Sequence, residues 1–169
     1  MDGVQGLKNI FETPAGIEWN EWLGPAVSRP FNKGVLNGWI NFYAYNPGAL
    51  NDATHQLDLV RMIMGNPGHP KSVYGWGGNH VFHSQRDTPE SQSITYDFEK
   101  YTVTVDSGNA TNYMSKASND IRMDPTRFPE WKTNADRVEI YGTLGMMYMG
   151  RTGGGWQVYG PGEQLIAQE

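Results

Sequence analysis

Hydrophobic residues recur with a helical period in the segment that begins at Asn51. The apolar stripe comprises Ala53, Leu57, Leu59, Val60, Ile63 and Met64. Spacings of three and four residues place these side chains on one face of an α-helix. Asn51 is a suitable N-cap, Asp52 suits the positive end of the helix, and Gly65 followed by Pro67 ends it. The pattern predicts an amphipathic helix whose stripe packs on another element.

Strict alternation of apolar and polar residues marks positions 93–105. The apolar set is Ile94, Tyr96 and Phe98 before a Glu-Lys turn, then Tyr101, Val103 and Val105 after it. A period of two is that of a strand with one buried face. The segment therefore predicts an antiparallel hairpin.

The remaining segments carry weaker patterns. Strands are predicted for residues 4–11 and 71–83, with two or three more in the glycine-broken stretch 136–161. Residues 12–34 predict an ordered surface loop that is anchored by Trp19, Trp22 and Phe31. Residues 38–45 predict a short strand or turn, and residues 115–135 predict a polar loop or insertion. One helix beside several antiparallel strands predicts an α+β layer arrangement, with residues 1–169 as a single domain.

Composition narrows the functional classes. The 169 residues include 38% hydrophobic and 18% charged positions, which is typical of a globular domain. A net charge of −5 argues against nucleic-acid binding, and the absence of cysteine excludes disulfides, thiolate zinc sites and cysteine nucleophiles. No apolar run approaches the roughly 20 residues of a membrane span, and the N-terminus lacks a signal pattern. The expectation is a cytoplasmic protein that binds neither membranes nor nucleic acid.

The stretch NDATHQLD, at the start of the predicted helix, holds the candidate chemistry. Asn51 and His55 are four residues apart and His55 and Asp58 three, so both pairs are neighbours on the helix surface. A histidine beside a carboxylate can serve as a general acid–base. Alternatively, Asp58 pairs with Arg61 or Lys71, and His55 is merely structural. The position of His55, where the helix meets the aromatic segment 39–45, favours a functional role.

Metal and nucleotide sites receive little support. His80 and His83, with Asp87 as a third ligand, would point to opposite faces of a strand, which is poor geometry for chelation. A metal-dependent hydrolase is therefore the weakest hypothesis. The glycine triplet at 153–155 has no helix after it, whereas a phosphate cradle needs one, so it predicts a turn between strands.

Four segments, in order, resemble the C-terminal domain of the Gfo/Idh/MocA oxidoreductases. They are EWNEWLGPAVSRPFN, PGALNDATHQLDLVRMIMG, RDTPESQSITYDFEKYTVTV and DRVEIYGTLGMMYMGRTGGGWQVYGP. The resemblance covers nearly the whole chain. It implies a domain like the C-terminal domain of dihydrodipicolinate reductase, in which a mainly antiparallel open sheet carries one or a few helices on one face. It also implies that NAD or NADP binds to an N-terminal Rossmann domain, with its catalytic lysine, that this chain lacks.

The resemblance also implies roles for particular residues. His55 matches the histidine of the family's D-x-x-x-H pattern, while Asn51 replaces the aspartate and can orient a substrate hydroxyl without taking its proton. In the complete enzyme, His55 would exchange that proton during hydride transfer between a sugar or polyol and the nicotinamide. Asp52 is a further candidate substrate contact. The rings of Trp39, Phe42 and Tyr45 could pack against a sugar, although plain core packing explains them equally well.

Two hypotheses remain. The first is the substrate-binding and oligomerisation domain of an NAD(P)-dependent sugar or polyol oxidoreductase, inactive and free of cofactor by itself. The second is a non-catalytic carbohydrate-binding or assembly module with the same fold and no nucleotide. In the first case, the partners are a sugar or polyol, the Rossmann domain and a second copy of the chain that covers the exposed sheet face.

Overall fold

A computed structural model describes residues 12–81, 86–108, 113–151 and 153–169 of the chain. The helices are α1 (Trp19–Leu23), α2 (Lys33–Asn37), α3 (Ala49–Ile63) and α4 (Asn119–Arg122), with single 3₁₀ turns at Trp39–Asn41, Trp131–Thr133 and Pro161–Glu163. The strands are β1 (Ser72–Gly78), β2 (Ser91–Asp97), β3 (Thr102–Gly108), β4 (Arg137–Tyr141), β5 (Met146–Gly150), β6 (Trp156–Tyr159) and β7 (Leu165–Gln168). The α+β class with antiparallel strands and few helices is confirmed. The predicted strand at 4–11 lies outside the described residues.

The described strands form two sheets rather than one. The first has the order β1-β2-β3 and the second the order β4-β5-β6-β7, and every neighbouring pair is antiparallel. The predicted hairpin is confirmed as β2 and β3, with Ile94 paired to Val105. The glycine triplet is confirmed as the turn between β5 and β6. Strand β7 lies beyond the stretch in which strands were predicted. Its four residues are all exposed and show no alternation, so no strand was predicted there.

Helix α3 packs against β2 and β3 of the first sheet and β4 of the second. Its start is three residues earlier than predicted, because Gly48, with φ 72° and ψ −125°, is the N-cap in place of Asn51. Asp52 lies in the first turn and Arg61 in the last, as the helix dipole favours. Ala53 of the apolar stripe is buried, whereas Ile63 near the end is 45% exposed.

The segment predicted as a long surface loop is partly helical. Trp19 and Leu23 lie on α1 and form a buried cluster with Phe31 and Val35, so the predicted anchoring by Trp19 and Phe31 is confirmed. The loop prediction is wrong for α1 and for the start of α2. The Asn32 side chain accepts hydrogen bonds from the N–H groups of Gly34 (2.7 Å) and Val35 (3.3 Å), and this N-cap was the overlooked signal.

Two further loop predictions can be compared with the fold. Residues 38–45 form the 3₁₀ turn Trp39–Asn41 followed by further turns, so the turn is confirmed over the short strand. Within the polar stretch 115–135, Trp131 is buried, and its ring stacks on that of Tyr148 at 5.5 Å with an interplanar angle of 4°. In the part of the chain that the structure describes, no helix combines the length and apolar character needed to cross a bilayer.

Candidate functional site

The first turns of α3 present polar side chains to solvent. Asn51, Asp52 and His55 are all exposed. At about 100° per residue, His55 lies between Asn51 and Asp52 around the helix axis, one turn further along it. The Asn51 N–H donates to the Gly48 carbonyl (3.0 Å), and the Thr54 hydroxyl donates to the Asn51 carbonyl (3.1 Å). The backbone at the start of the helix is thus fixed, while the imidazole of His55 remains accessible.

Asp52 belongs to an ion-pair cluster that joins the helix to the second sheet. Arg151 Nη1, just after β5, lies 2.9 Å from Asp52 Oδ1 and 3.4 Å from Asp136 Oδ2. Lys116 Nζ lies 3.7 Å and 3.9 Å from the same two carboxylates. We call Asp52, Lys116, Asp136 and Arg151 the ion cluster. Its two acids and two bases offset each other in charge.

The inner half of the ion cluster is desolvated. The side chains of Asp136 and Arg151 are 9% and 13% exposed, whereas those of Asp52 and Lys116 are mostly in solvent. The Gln56 amide, one helical turn after Asp52, donates to Asp136 Oδ1. Gln56 Oε1 and Arg151 Nε are buried without a hydrogen-bond partner among the described residues. Because a buried charge needs partners, Asp136 and Arg151 hold each other in place.

Three members of the ion cluster could not be predicted from the sequence. Lys116 and Asp136 are far from Asp52 in the sequence, and Arg151 is 99 residues away. The available signal was weak: Asp136 directly precedes the alternating segment that forms β4. Nothing in the sequence indicates that its partner is Arg151.

Asp58, the proposed carboxylate neighbour of His55, makes neither of the predicted ion pairs. Within the described residues it pairs with neither Arg61 nor Lys71, so the predicted ion pairs are wrong, while the role of His55 remains a prediction. The Arg61 guanidinium instead donates to Asn66 Oδ1, and the Lys71 N–H donates to the Asp97 carbonyl (2.7 Å). The reason is that the chain turns back through Asn66 after the helix and supplies an amide acceptor within reach of Arg61.

The three candidate aromatic contacts differ in their surroundings. Phe42 and Tyr45 are half-buried and pack against the hydrophobic cluster of α1 and α2, with the Tyr45 ring 5.0 Å from that of Trp22. Trp39 is 41% exposed. Core packing accounts for much of the surface of Phe42 and Tyr45, whereas Trp39 offers a ring to solvent. Their contact with a sugar remains a prediction.

The segment of residues 86–90 anchors the aromatic 3₁₀ turn. The N–H groups of Asp87 (3.0 Å) and Thr88 (3.3 Å) donate to the Asn41 carbonyl, and the Tyr43 N–H donates to Asp87 Oδ1 at 2.6 Å. Thr88 and Glu90 are fully buried. The Glu90 carboxylate accepts hydrogen bonds from the N–H groups of two residues that follow β1. This anchor has no sequence signal, because threonine and glutamate usually lie at the surface.

Two of the three residues considered for a metal site, His80 and Asp87, lie among the described residues. His80 is exposed, and its N–H donates to Glu90 Oε2 (2.9 Å), while His83 lies outside the described residues. The Asp87 carboxylate accepts from the Tyr43 N–H. Over the described ranges, no group of three histidine or acidic side chains is placed to hold a metal ion.

The glycine triplet does not fit a dinucleotide. Gly153, Gly154 and Gly155 all have positive φ and lead into strand β6 rather than a helix. A Cβ on Gly153 would collide with the Arg122 carbonyl, and one on Gly155 with the Glu169 carbonyl. These glycines therefore allow backbone segments to pack closely, whereas a phosphate cradle leaves its N–H groups open to a ligand.

A comparison with solved structures gives a similarity in fold. No protein-family profile matches the chain, and no curated protein matches it. The chain is similar to the crystal structure of an oxidoreductase from Agrobacterium radiobacter in complex with NAD+, L-tartaric acid and magnesium, with a TM-score of 0.45 and 19% sequence identity. The match covers 82% of this chain and 35% of that oxidoreductase, so the chain spans about a third of its length.

Proposed function

We propose that this chain is the substrate-binding and oligomerisation domain of an NAD(P)-dependent oxidoreductase of the Gfo/Idh/MocA type that acts on a sugar or polyol. The observation that carries the proposal is the exposed pair Asn51 and His55 at the start of α3. They occupy the aspartate and histidine positions of the D-x-x-x-H pattern in the family that this chain resembles. The ion cluster supports the proposal, because it fixes this end of the helix against the second sheet.

The chemistry assigned to this chain is positioning and proton transfer. The Asn51 amide would hold a substrate hydroxyl, and an imidazole nitrogen of His55 would take or return its proton. Asp52 is engaged by Arg151 and Lys116, so it would contact substrate only as part of the ion cluster. The described glycines do not fit a dinucleotide, and we assign NAD or NADP to a separate Rossmann domain, where it would accept or supply hydride.

Binding of a polyol is tested by nuclear magnetic resonance on this chain. We expect glucose, sorbitol or myo-inositol to shift the amide signals of Asn51, Asp52 and His55. His55→Gln should weaken that binding about tenfold, the effect of losing roughly one hydrogen bond in a site. The matched control is His80→Gln, which removes another exposed imidazole and should leave the affinity unchanged. Binding that His55→Gln does not alter would overturn the site.

The cofactor assignment has its own test. Calorimetric titration of this chain with NAD+ and NADP+ should give no heat of binding, and micromolar affinity would contradict the separate-domain assignment. In the product of the complete coding sequence, hydride transfer is followed by the absorbance of the reduced nicotinamide. We expect His55→Gln to lower kcat/KM there by about a hundredfold or more, the range of general acid–base catalysis.

One observation favours a second candidate, a non-catalytic carbohydrate-binding module. Asn51 cannot take a proton and Asp52 is held by Arg151, so neither first-turn residue offers His55 a free carboxylate, and the exposed Asp58 lies one turn further along the helix. The module would bind the polyol as above, but the complete protein would show no hydride transfer with either nicotinamide. Kinetics on the complete protein therefore separate the two candidates.

Oligomerisation would use the outer face of the first sheet. Tyr74 and Trp76 of β1 are 70% and 56% exposed, and they lie opposite Thr95 and Ser93 on the face away from buried Ile94. A second copy would cover these rings. We expect Trp76→Ser to lower the sedimentation coefficient, whereas Met123→Ser, at another exposed apolar side chain, should not. A wild-type chain that is monomeric at high concentration would contradict this part of the proposal.

A further inference from the structure

A cavity of about 310 Å³ lies between α3 and the β2–β3 hairpin. The helix contributes Thr54, Asp58 and Arg61, which recur at i, i+4 and i+7 along one stripe. This stripe is roughly half a turn around the helix from Asp52 and Gln56, which face the second sheet. His55 is not among the lining residues. The cavity is therefore separate from the ion cluster, and it lies beside the proposed substrate site without including His55.

Polar groups in the cavity wall lack partners within the protein as described. The Asp58 carboxylate, the His69 imidazole and the Tyr96 hydroxyl all line the cavity, and none makes a side-chain hydrogen bond or ion pair to a described residue. Tyr96 is only half-buried, and burial raises the pKa of its hydroxyl, which stays protonated at neutral pH. These groups together offer a ligand both hydrogen-bond donors and an acceptor.

The opposite wall is aromatic. Phe98 and Tyr101, at the two ends of the hairpin turn, stack with ring centroids 4.9 Å apart and an interplanar angle of 27°. Both line the cavity beside Tyr96. Aromatic faces carry negative charge density, which attracts the C–H groups of a saturated ring. A wall of this kind suits a ligand that is apolar on one side and hydroxylated around its edge.

Charge and volume restrict the ligand further. Asp58 and Arg61 place one charge of each sign in the lining, which favours a ligand without net charge. Ligand pockets usually measure about 300–1,000 Å³, so this cavity suits one small ring rather than a dinucleotide. A cavity lined by three aromatic rings alone would accept an organic cation. The presence of both a positive and a negative side chain argues against that ligand.

We infer that this cavity is a binding site for a single neutral polyhydroxylated ring, such as a monosaccharide or a cyclic polyol. The ring packs on the aromatic wall, and its hydroxyl groups bond to Asp58, His69 and Tyr96. This site goes beyond the proposed function and does not depend on His55.

The test is a titration of the full chain followed by nuclear magnetic resonance, with glucose as the probe and glucuronate and tetramethylammonium as charged comparisons. We expect glucose to shift the amide signals of Gly68 and Val103 and the ring signals of Tyr96. Glucuronate and tetramethylammonium should shift the same signals at least fivefold more weakly. Preference for either charged probe, or no shift at these positions with glucose, would overturn the inference.

Two variants keep the test specific to the cavity. Tyr96→Phe removes a hydroxyl, and Asp58→Asn removes the charge and one acceptor oxygen. Neither changes the side-chain shape much, and each should raise the dissociation constant about three- to tenfold. Tyr74→Phe is the matched control, since that tyrosine lies on the other face of the same sheet, and it should have no effect. If all three variants bind glucose equally well, the assigned contacts are wrong.

The two sugar-binding proposals fail separately. Loss of cavity signals in Tyr96→Phe with Asn51 and His55 signals retained supports two sites. Shifts confined to Asn51 and His55 overturn the cavity site and leave the proposed function standing. Shifts confined to the cavity support the cavity site and overturn the assignment of Asn51 and His55 as the substrate site.

Discussion

Arg151 Nη1 lies 2.9 Å from Asp52 Oδ1 and thereby joins the end of β5 to the first turn of α3. The same guanidinium also reaches Asp136 Oδ2 at 3.4 Å, just before β4. A bifurcated contact of this kind fixes the start of the helix relative to two strands. The position of His55, one turn further along, follows from it.

Replacement of Arg151 should therefore destabilise the protein. Arg151→Gln leaves the nearly buried Asp136 carboxylate with Gln56 and the distant Lys116 as partners. We expect the free energy of unfolding to fall by about 2–4 kcal/mol, as for other desolvated ion pairs that lose one member. Urea denaturation measures it. Arg127→Gln is the matched control, because it breaks the exposed pair with Asp120 and should cost about 1 kcal/mol or less. Equal losses in the two variants would show that the ion cluster stabilises the fold no more than an exposed ion pair does.

The indole of Trp131 should contribute through its hydrogen bond as well as its packing. Trp131 Nε1, in the 3₁₀ turn before β4, donates to Gln157 Oε1 of β6 at 2.7 Å. Trp131→Phe removes the donor and part of the ring, and we expect a loss of about 2–4 kcal/mol in thermal or urea unfolding. In the control, Trp39→Phe at an exposed 3₁₀ position, the change should stay within about 0.5 kcal/mol. A large effect of Trp39→Phe alone would contradict this assignment of the core.

Gly153 should tolerate a side chain worse than Gly65 does. Both have positive φ, 93° and 77°, so alanine is strained at either position. A Cβ on Gly153 also meets the Arg122 carbonyl, while one on Gly65 has nothing within 4 Å. We expect Gly65→Ala to lower the free energy of unfolding by about 1 kcal/mol and Gly153→Ala by at least twice as much. Similar losses would mean that the turn between β5 and β6 does not pack on the Arg122 backbone.

Tyr141 should titrate at unusually high pH. A hydrogen bond from its hydroxyl to the Glu139 carboxylate, together with burial, raises the pKa of Tyr141 to about 12. Because the folded-state pKa lies above that of the unfolded chain, the stabilisation is present below pH of about 10 and is lost as pH rises towards 12. Carbon-13 signals of the tyrosine rings follow the titration. Glu139→Gln should bring the pKa of Tyr141 back towards its usual value, and an unchanged pKa in that variant would refute the cause.

The local elements with a clear hydrophobic period are determined by the sequence alone, whereas the short helices α1 and α2 and strand β7 were not predictable in this way. The alternation from Ile94 to Val105 requires a strand pair with one covered face, and the stripe from Ala53 to Met64 requires a helix. Both patterns depend on neighbours within a few residues, because side-chain direction repeats every two residues in a strand and every 3.6 in a helix. The glycine triplet between β5 and β6 was predictable as a turn for the same reason.

The tertiary structure alone decided how these elements meet. The division of the strands into two sheets, the cavity between Asp58 and Tyr96, and the pairing of Asp52 with Arg151 across 99 residues have no local signature. A charged residue in a sequence has many oppositely charged candidates, and packing of the surrounding apolar faces selects the one that comes within hydrogen-bond distance. The sequence thus determined the elements with a clear period, the long helix and the hairpin, and the fold determined which polar side chains those elements bring together.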